Sequence, residues 1–365
     1  MKENILYLLD EALDLWSAIL LQTPAPASPE ILSLIPSLFH ILEAAYDSVG
    51  MALQIVESYI LLSPQEVLSD RNRLPLLASL QVLLQATTRQ RGGAVLRLVE
   101  LMIRGADAVD GGSENTYSVI IRSLLDSSIL AAVLEGLYSA YESSQTTGPN
   151  KKQTHVYGGV ETDYFSVLAR LALAHPKLFV SGIAAAAGES SISRNNNTND
   201  PQEDLLTWLL TEWFAHYDNI GTAKQKKLHA LALTQLLTLN GPNNQPPAYI
   251  LSHLQSYLNV WTDIITELAE GTTEGDPSDP SGGDYLIYWN EAGTGKFDET
   301  EPPENTRKRE WDTTDVVHKL NIRSFIRERL HSLIVGCGGE QRFQEDWLLN
   351  VDRDVVAAFA ALRLI

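Results

Sequence analysis

The chain has 365 residues, and 46 acidic against 27 basic side chains give it a formal charge of −19. Hydrophobic residues make up 44%, which excludes wholesale disorder and supplies material for a large core. The acid excess argues against a nucleic-acid groove, which needs a basic stripe, and against an anionic membrane surface; it favours basic protein partners.

One period dominates from the first residues. Ile5, Leu8, Leu9, Ala12, Trp16, Ile19 and Leu20 recur at steps of three and four, the stripe of an α-helix. Asp10, Glu11 and Asp14 interrupt the apolar run, so it does not read as a signal peptide. A second apolar row, Leu6, Leu9, Leu13 and Leu20, predicts an apolar outer face and hence further repeats before this helix. Prolines at 24 and 26 stop it. Ser28 before Pro29 and Glu30 predicts an N-cap, opening a helix through Ile31, Leu34, Leu38 and Leu42 with a kink at Pro36.

Met51–Leu62, closed by Ser63-Pro64, and Leu74–Ala86 predict the next pair, and Val95–Ile103 a further helix. One or two more lie between Tyr117 and Tyr141, then Phe165–Ala174 and a short piece after Pro176. Leu205, Leu206, Leu209, Leu210, Trp213, Phe214 and Tyr217 form one of the clearest stripes. Leu228–Leu239, a long stripe from Ile250 to Leu268, Ile322–Ile334 and Trp347–Leu362 complete the set. No convincing period-two alternation occurs, so the chain is read as all-α. Pairs begin about every 40–45 residues in the first hundred, the spacing of two-helix solenoid repeats of the HEAT or armadillo kind; a compact bundle is the competing architecture.

Two polar stretches, Ser143–Thr162 and Gly188–Pro201, read as loops. The third break is larger. Between Glu270 and Glu304 ten acidic residues face Lys296 alone, with the apolar run Tyr285-Leu286-Ile287-Tyr288-Trp289 in the middle. The expected organisation is therefore helical repeats over 1–269, an acidic insert over 270–304 and C-terminal repeats over 305–365. The longest charge-free stretch, 228–262, holds Asn240 to Pro247 and cannot span a bilayer.

Chemistry is mostly absent. Gly293-Thr294-Gly295-Lys296 fails as a phosphate loop, because Asn290 stands where the first glycine is needed and Phe297 follows the lysine. Asp276, Asp279 and Asp284 lack calcium-loop spacing. The eight histidines form no His-x-x-x-His pair, and no Gly-x-Ser-x-Gly occurs. Cys337 is the only cysteine, which excludes an internal disulfide and fits a reducing compartment; its glycines read as a helix C-cap. Arg307-Lys308-Arg309 reads as a solvated basic turn. No enzyme, cofactor or metal site is expected. Trp16, Trp208, Trp213 and Trp261 read as core, whereas Trp289 and Trp311 stand in or beside the acidic insert. Candidate partner contacts are Asp276, Asp279, Asp284, Tyr285, Trp289, Asp298, Glu299, Glu301 and Trp311.

Four segments carry a resemblance. Leu6-Tyr7-Leu8-Leu9-Asp10-Glu11-Ala12-Leu13-Asp14-Leu15-Trp16 and Ile55-Val56-Glu57-Ser58-Tyr59-Ile60-Leu61-Leu62-Ser63-Pro64 resemble the later repeats of the importin-β (karyopherin-β) nuclear transport receptors. Asp163-Tyr164-Phe165-Ser166-Val167-Leu168-Ala169-Arg170 and Asp315-Val316-Val317-His318-Lys319-Leu320, with Phe325-Ile326, are similar to the C-terminal end of the importin-eleven group. The resemblance implies a right-handed superhelical solenoid of antiparallel helix pairs. It also implies carriage of protein cargo through the nuclear pore under control of Ran, with nucleoporins as further partners. The family's Ran contacts lie in N-terminal repeats that no stretch here matches, so the chain looks like a C-terminal portion. The expected function is recognition without catalysis in a protein shuttling between cytoplasm and nucleus. The acidic surface would steer basic cargo; the alternative is a HEAT scaffold subunit of a multiprotein complex.

Overall fold

A computed structural model describes residues 2–44, 48–86, 89–146, 154, 156, 158–189, 201–241, 245–270 and 301–364. All regular structure among them is helical. The chain opens with α1 (Lys2–Gln22), stopped before Pro24, then α2 (Pro29–Leu32) and α3 (Ile35–Ala44). These two are separate because the backbone tightens at Ser33 and Leu34; Pro36 sits in the first turn of α3, where a missing N–H costs nothing. There follow α4 (Val49–Leu62), α5 (Pro64–Val67), α6 (Arg73–Ala86) and α7 (Arg89–Asp110). Next come α8 (Glu114–Asp126), capped by the Ser113 hydroxyl accepting the Thr116 N–H, and α9 (Ile129–Gln145).

After these stand α10 (Gly159–Ala174), α11 (Pro176–Glu189), α12 (Pro201–Ala215) and α13 (Ala223–Leu236). Then come α14 (Ala248–Leu251), α15 (Leu254–Glu270), α16 (Pro303–Thr314) and α17 (Val316–Lys319). The chain closes on α18 (Ile322–Gly336), α19 (Glu340–Asp346) and α20 (Arg353–Ala361). The stretch expected as one helix from Trp347 to Leu362 is broken, because Asp352 turns its carboxylate to the Asp354 N–H and starts α20 afresh. Cys337 is the C-cap of α18, and Gly338 and Gly339 follow at φ of 92° and 102°, as the glycine run predicts.

The chain divides into two compact units. The first holds the described residues of 1–167, 185–190 and 295–314. Its centre is α4, with ten of 14 residues buried because α1, α3, α7 and α16 surround it. The Trp16 indole N–H donates to the Tyr59 hydroxyl at 2.9 Å, and that hydroxyl donates to the Ile31 carbonyl at 2.8 Å, joining α1, α4 and α2. Burial pushes the Tyr59 hydroxyl up to about 12. The outer row expected on α1 is not outside: Leu13 and Leu20 are 1% and 0% exposed, and Leu15 and Ile19 face solvent at 62% and 45%. Two adjacent apolar rows look alike in sequence, and packing against α4 and α16 decides which turns inward.

The second unit holds the described residues of 168–184, 191–294 and 315–365. Helix α13 packs on α15, α17 and α18, and α15 packs on α20. An aromatic file runs through it, Phe214 to Tyr257 at 4.9 Å, Tyr257 to Trp261 at 5.6 Å and Trp261 to Phe359 at 5.6 Å. The buried Trp261 N–H is satisfied by the Thr234 hydroxyl at 2.7 Å, and Trp213 by His229 Nδ1 at 3.0 Å. Arg170 grips Asp315 with two bonds of 2.7 Å, both side chains at most 5% exposed. That carboxylate also accepts the Val317 N–H and so starts α17.

Candidate functional site

Of the expected partner contacts, Asp276, Asp279, Asp284, Tyr285, Trp289, Asp298 and Glu299 lie outside the described residues. Glu301 and Trp311 are engaged within the first unit. Glu301 takes a forked contact from Arg309 at 2.5 and 2.6 Å. Trp311 lies beside Gly105, with the Arg104 guanidinium 5.3 Å from its ring centroid and a bond from Arg104 to its carbonyl. Arg307-Lys308-Arg309, expected as a solvated turn, is the middle of α16. Arg307 is 6% exposed there. Its buried position follows from hydrogen bonds to the carbonyls of Leu20 and Thr23, the electronegative C-terminal end of α1.

The second unit carries a different feature, a groove of about 470 Å³ between α12 and α15. Its floor is aromatic: Phe214 stacks on His253 at 5.5 Å and an interplanar angle of 21°. The His253 Nδ1 lies 2.8 Å from the Tyr249 carbonyl and its Nε2 3.0 Å from the Thr211 hydroxyl, so the ring is held at both ends. Its rim is acidic, with Asp218 and Asp263 among the lining residues. Burial first, then the carboxylates of Asp263, Glu267 and Asp218, hold the Tyr217 hydroxyl well above its ordinary range. Lys226 bridges Asp263 at 3.2 Å and Glu267 at 2.7 Å. Burial works against its charge, but those two bonds outweigh it and raise its pKa. Asp218 and Asp263 thus line the groove beside the Phe214–His253 stack, so a cationic side chain entering it meets carboxylates above an aromatic floor.

Sequence reading assigns Phe214 to a packing stripe and does not single out Asp218, His253 or Asp263. Asp263 lies on the polar face of α15, where any solvated carboxylate would stand. Only the approach of α12 brings it opposite Phe214 and Tyr217. Among the described residues, no group of three or more His, Cys, Asp or Glu is placed to hold a metal ion, and no single helix is long and apolar enough to cross a membrane.

Helix after helix in two all-α units, the second with an acidic groove beside its aromatic file, defines a helical-repeat protein. The chain belongs to the importin-11-like family with TPR repeats, whose pattern matches residues 1–364. It is similar to importin beta-like protein kap113 of Schizosaccharomyces pombe, 25% identical over 364 residues, 99% of this chain and 31% of the relative. Human Importin-11 is 24% identical over 355 residues, 96% of this chain and 31% of the relative. Importin beta-like protein KAP120 of Saccharomyces cerevisiae is 22% identical over 347 residues, 92% and 31% of the two chains. The chain therefore spans about a third of the length of the relatives it matches. No solved structure matches it.

Proposed function

We propose that this chain is the cargo-binding part of a nuclear import receptor that moves between cytoplasm and nucleus. The observation that carries this reading is the match along nearly the whole chain to relatives named importins. The charge of −19 and the acidic, aromatic-floored groove supply the physical means. Acidic surface draws a basic protein at long range, and a few desolvated contacts fix it. Asp218 and Asp263 receive a lysine or arginine side chain, which stacks on Phe214 and His253. The acidic stretch 270–304 adds contacts through Asp276, Asp279, Asp284, Tyr285, Trp289, Asp298 and Glu299. Ran in its GTP form controls release through repeats that this chain does not match, and nucleoporins are further partners. Recognition, not turnover, is the activity.

The test is equilibrium binding of Met1–Ile365 to basic nuclear proteins, with salt varied from about 50 to 150 mM, a range over which exposed ion pairs are progressively screened. Affinity falls steeply with salt, and Asp218→Asn with Asp263→Asn together weakens it about tenfold at the lower salt, as expected for two charge contacts of about 0.7 kcal/mol each. A flat salt profile removes electrostatic capture. A steep profile unaffected by the two substitutions moves the contact away from the groove.

A further inference from the structure

Helix α16 is held differently from every other long helix of its unit. Only Glu304 and Arg307 among its residues are buried, and both are charged. Its attachments include Arg307 to the carbonyls ending α1, Lys308 to Glu57 on α4 at 3.3 Å, and Trp311 beneath Arg104 of α7, with Asp312 3.5 Å from the same guanidinium. Helix α4, by contrast, is locked by ten buried residues. We propose that α16 is an exchangeable internal ligand, and that the surface it covers on α1, α4 and α7 is a docking site for a basic helical segment of a partner protein.

The chemistry of the surface defines that segment. The end of α1 offers carbonyl oxygens and the negative pole of a helix dipole, which call for an arginine fork. Glu57, 39% exposed, calls for a cation one residue further on. Arg104, beside the side-chain-free Gly105, calls for an aromatic ring one helical turn after the arginine. The partner pattern is therefore Arg-Lys-x-x-aromatic on a helix, which α16 itself carries as Arg307, Lys308 and Trp311.

Exchange returns the charged groups of the seam to water during opening, and the incoming helix covers again the apolar surface of α1 and α4 on which α16 packs. Arg104, Arg307, Glu304, Glu57 and Lys308 are all solvated by opening, and no buried apolar side chain of α16 is exposed. The Lys308–Glu57 pair, partly exposed on both sides, contributes little and is screened by salt. While α16 is seated, an outside helix binds only to the open fraction, so its apparent affinity falls by that fraction. This inference stands apart from the transport reading, since it concerns one seam and no cargo.

The experiment uses the full chain, a labelled peptide with the sequence of residues 301–314, and the variant Lys308→Glu. Lys308 is 43% exposed, so the change loosens α16 without entering the core. Amide hydrogen exchange should run at least tenfold faster in α16 than in α4, accelerate further with salt, and accelerate again in the variant. The peptide should bind the variant at least tenfold more tightly than the unaltered chain. The proposal is overturned by exchange in α16 that tracks α4, by a peptide that binds both proteins equally or neither, or by dimers that trade α16 between copies.

Discussion

His229 shows how one buried side chain carries a pH signature. It is 1% exposed and accepts the Trp213 indole N–H on Nδ1, the edge-on rings lying 5.8 Å apart. Burial first, then the Arg170 charge, lowers its pKa to about 3. The folded state thus refuses a proton that the unfolded chain accepts below about 6.5. Stability is unaffected above that value and declines as pH falls from 6.5 toward 3. At pH 5 the loss is about 2 kcal/mol. His229→Asn keeps an acceptor for Trp213 without titrating. Urea unfolding at pH 7 and pH 5 should therefore show a smaller acid loss in the variant, and equal losses would contradict the assignment.

Arg170 and Asp315 make the second residue-scale case. Asp315→Asn leaves a buried guanidinium with half its partner, and the expected cost is about 3–5 kcal/mol. Replacing both residues with apolar ones should recover most of that loss, less about 1 kcal/mol for the vacated cap of α17. Denaturant midpoints of the single and double variants decide it; a double variant as unstable as the single would show that the pair adds net stability.

At the scale of elements, helix propensity and packing disagree at Gly136 in α9. Alanine there gains about 1 kcal/mol in helix propensity. Its Cβ, however, would come 2.5 Å from Cε1 of Tyr164 on α10. Overpacking of that kind costs about 1–3 kcal/mol, so Gly136→Ala should lower the thermal midpoint. A raised midpoint would mean that the Tyr164 ring yields freely.

The helices themselves were legible, since the 3.6-residue stripe and the Pro and Gly stops mark α1, α4, α12 and α18 to within a few residues, while the stripe expected from Ile250 to Leu268 divides at Ser252 and His253 into α14 and α15. Which stripe turns inward was not, as Leu13 and Ile19 show. Nor was α16, because a helix written Pro-Glu-Asn-Thr-Arg-Lys-Arg-Glu-Trp carries no apolar period and is specified by partners some 200 to 290 residues away. The four segments that carry the family resemblance were recognisable one by one. Their pairings, Trp16 with Tyr59 and Arg170 with Asp315, exist only in the fold. The groove was hidden for the same reason: Asp218 and Asp263 belong to separate helical stretches, and nothing local in either announces the other.

At the scale of the whole molecule, charge is the property that acts at a distance. The stretch 270–304 carries ten acidic residues and one lysine, a local charge of −9, and the remainder of the chain accounts for the other −10 of its −19. Screening at physiological salt confines such fields to about 8 Å, so steering belongs to the approach of a partner and holding to contacts such as the groove. The most direct test of the receptor account is native isolation of the protein from its own cells at low salt. A wash with Ran in its GTP form follows, and mass spectrometry identifies what leaves. The account predicts a set of basic nuclear proteins that depart with Ran-GTP. A single stoichiometric complex indifferent to Ran-GTP would contradict it and make the chain part of a scaffold.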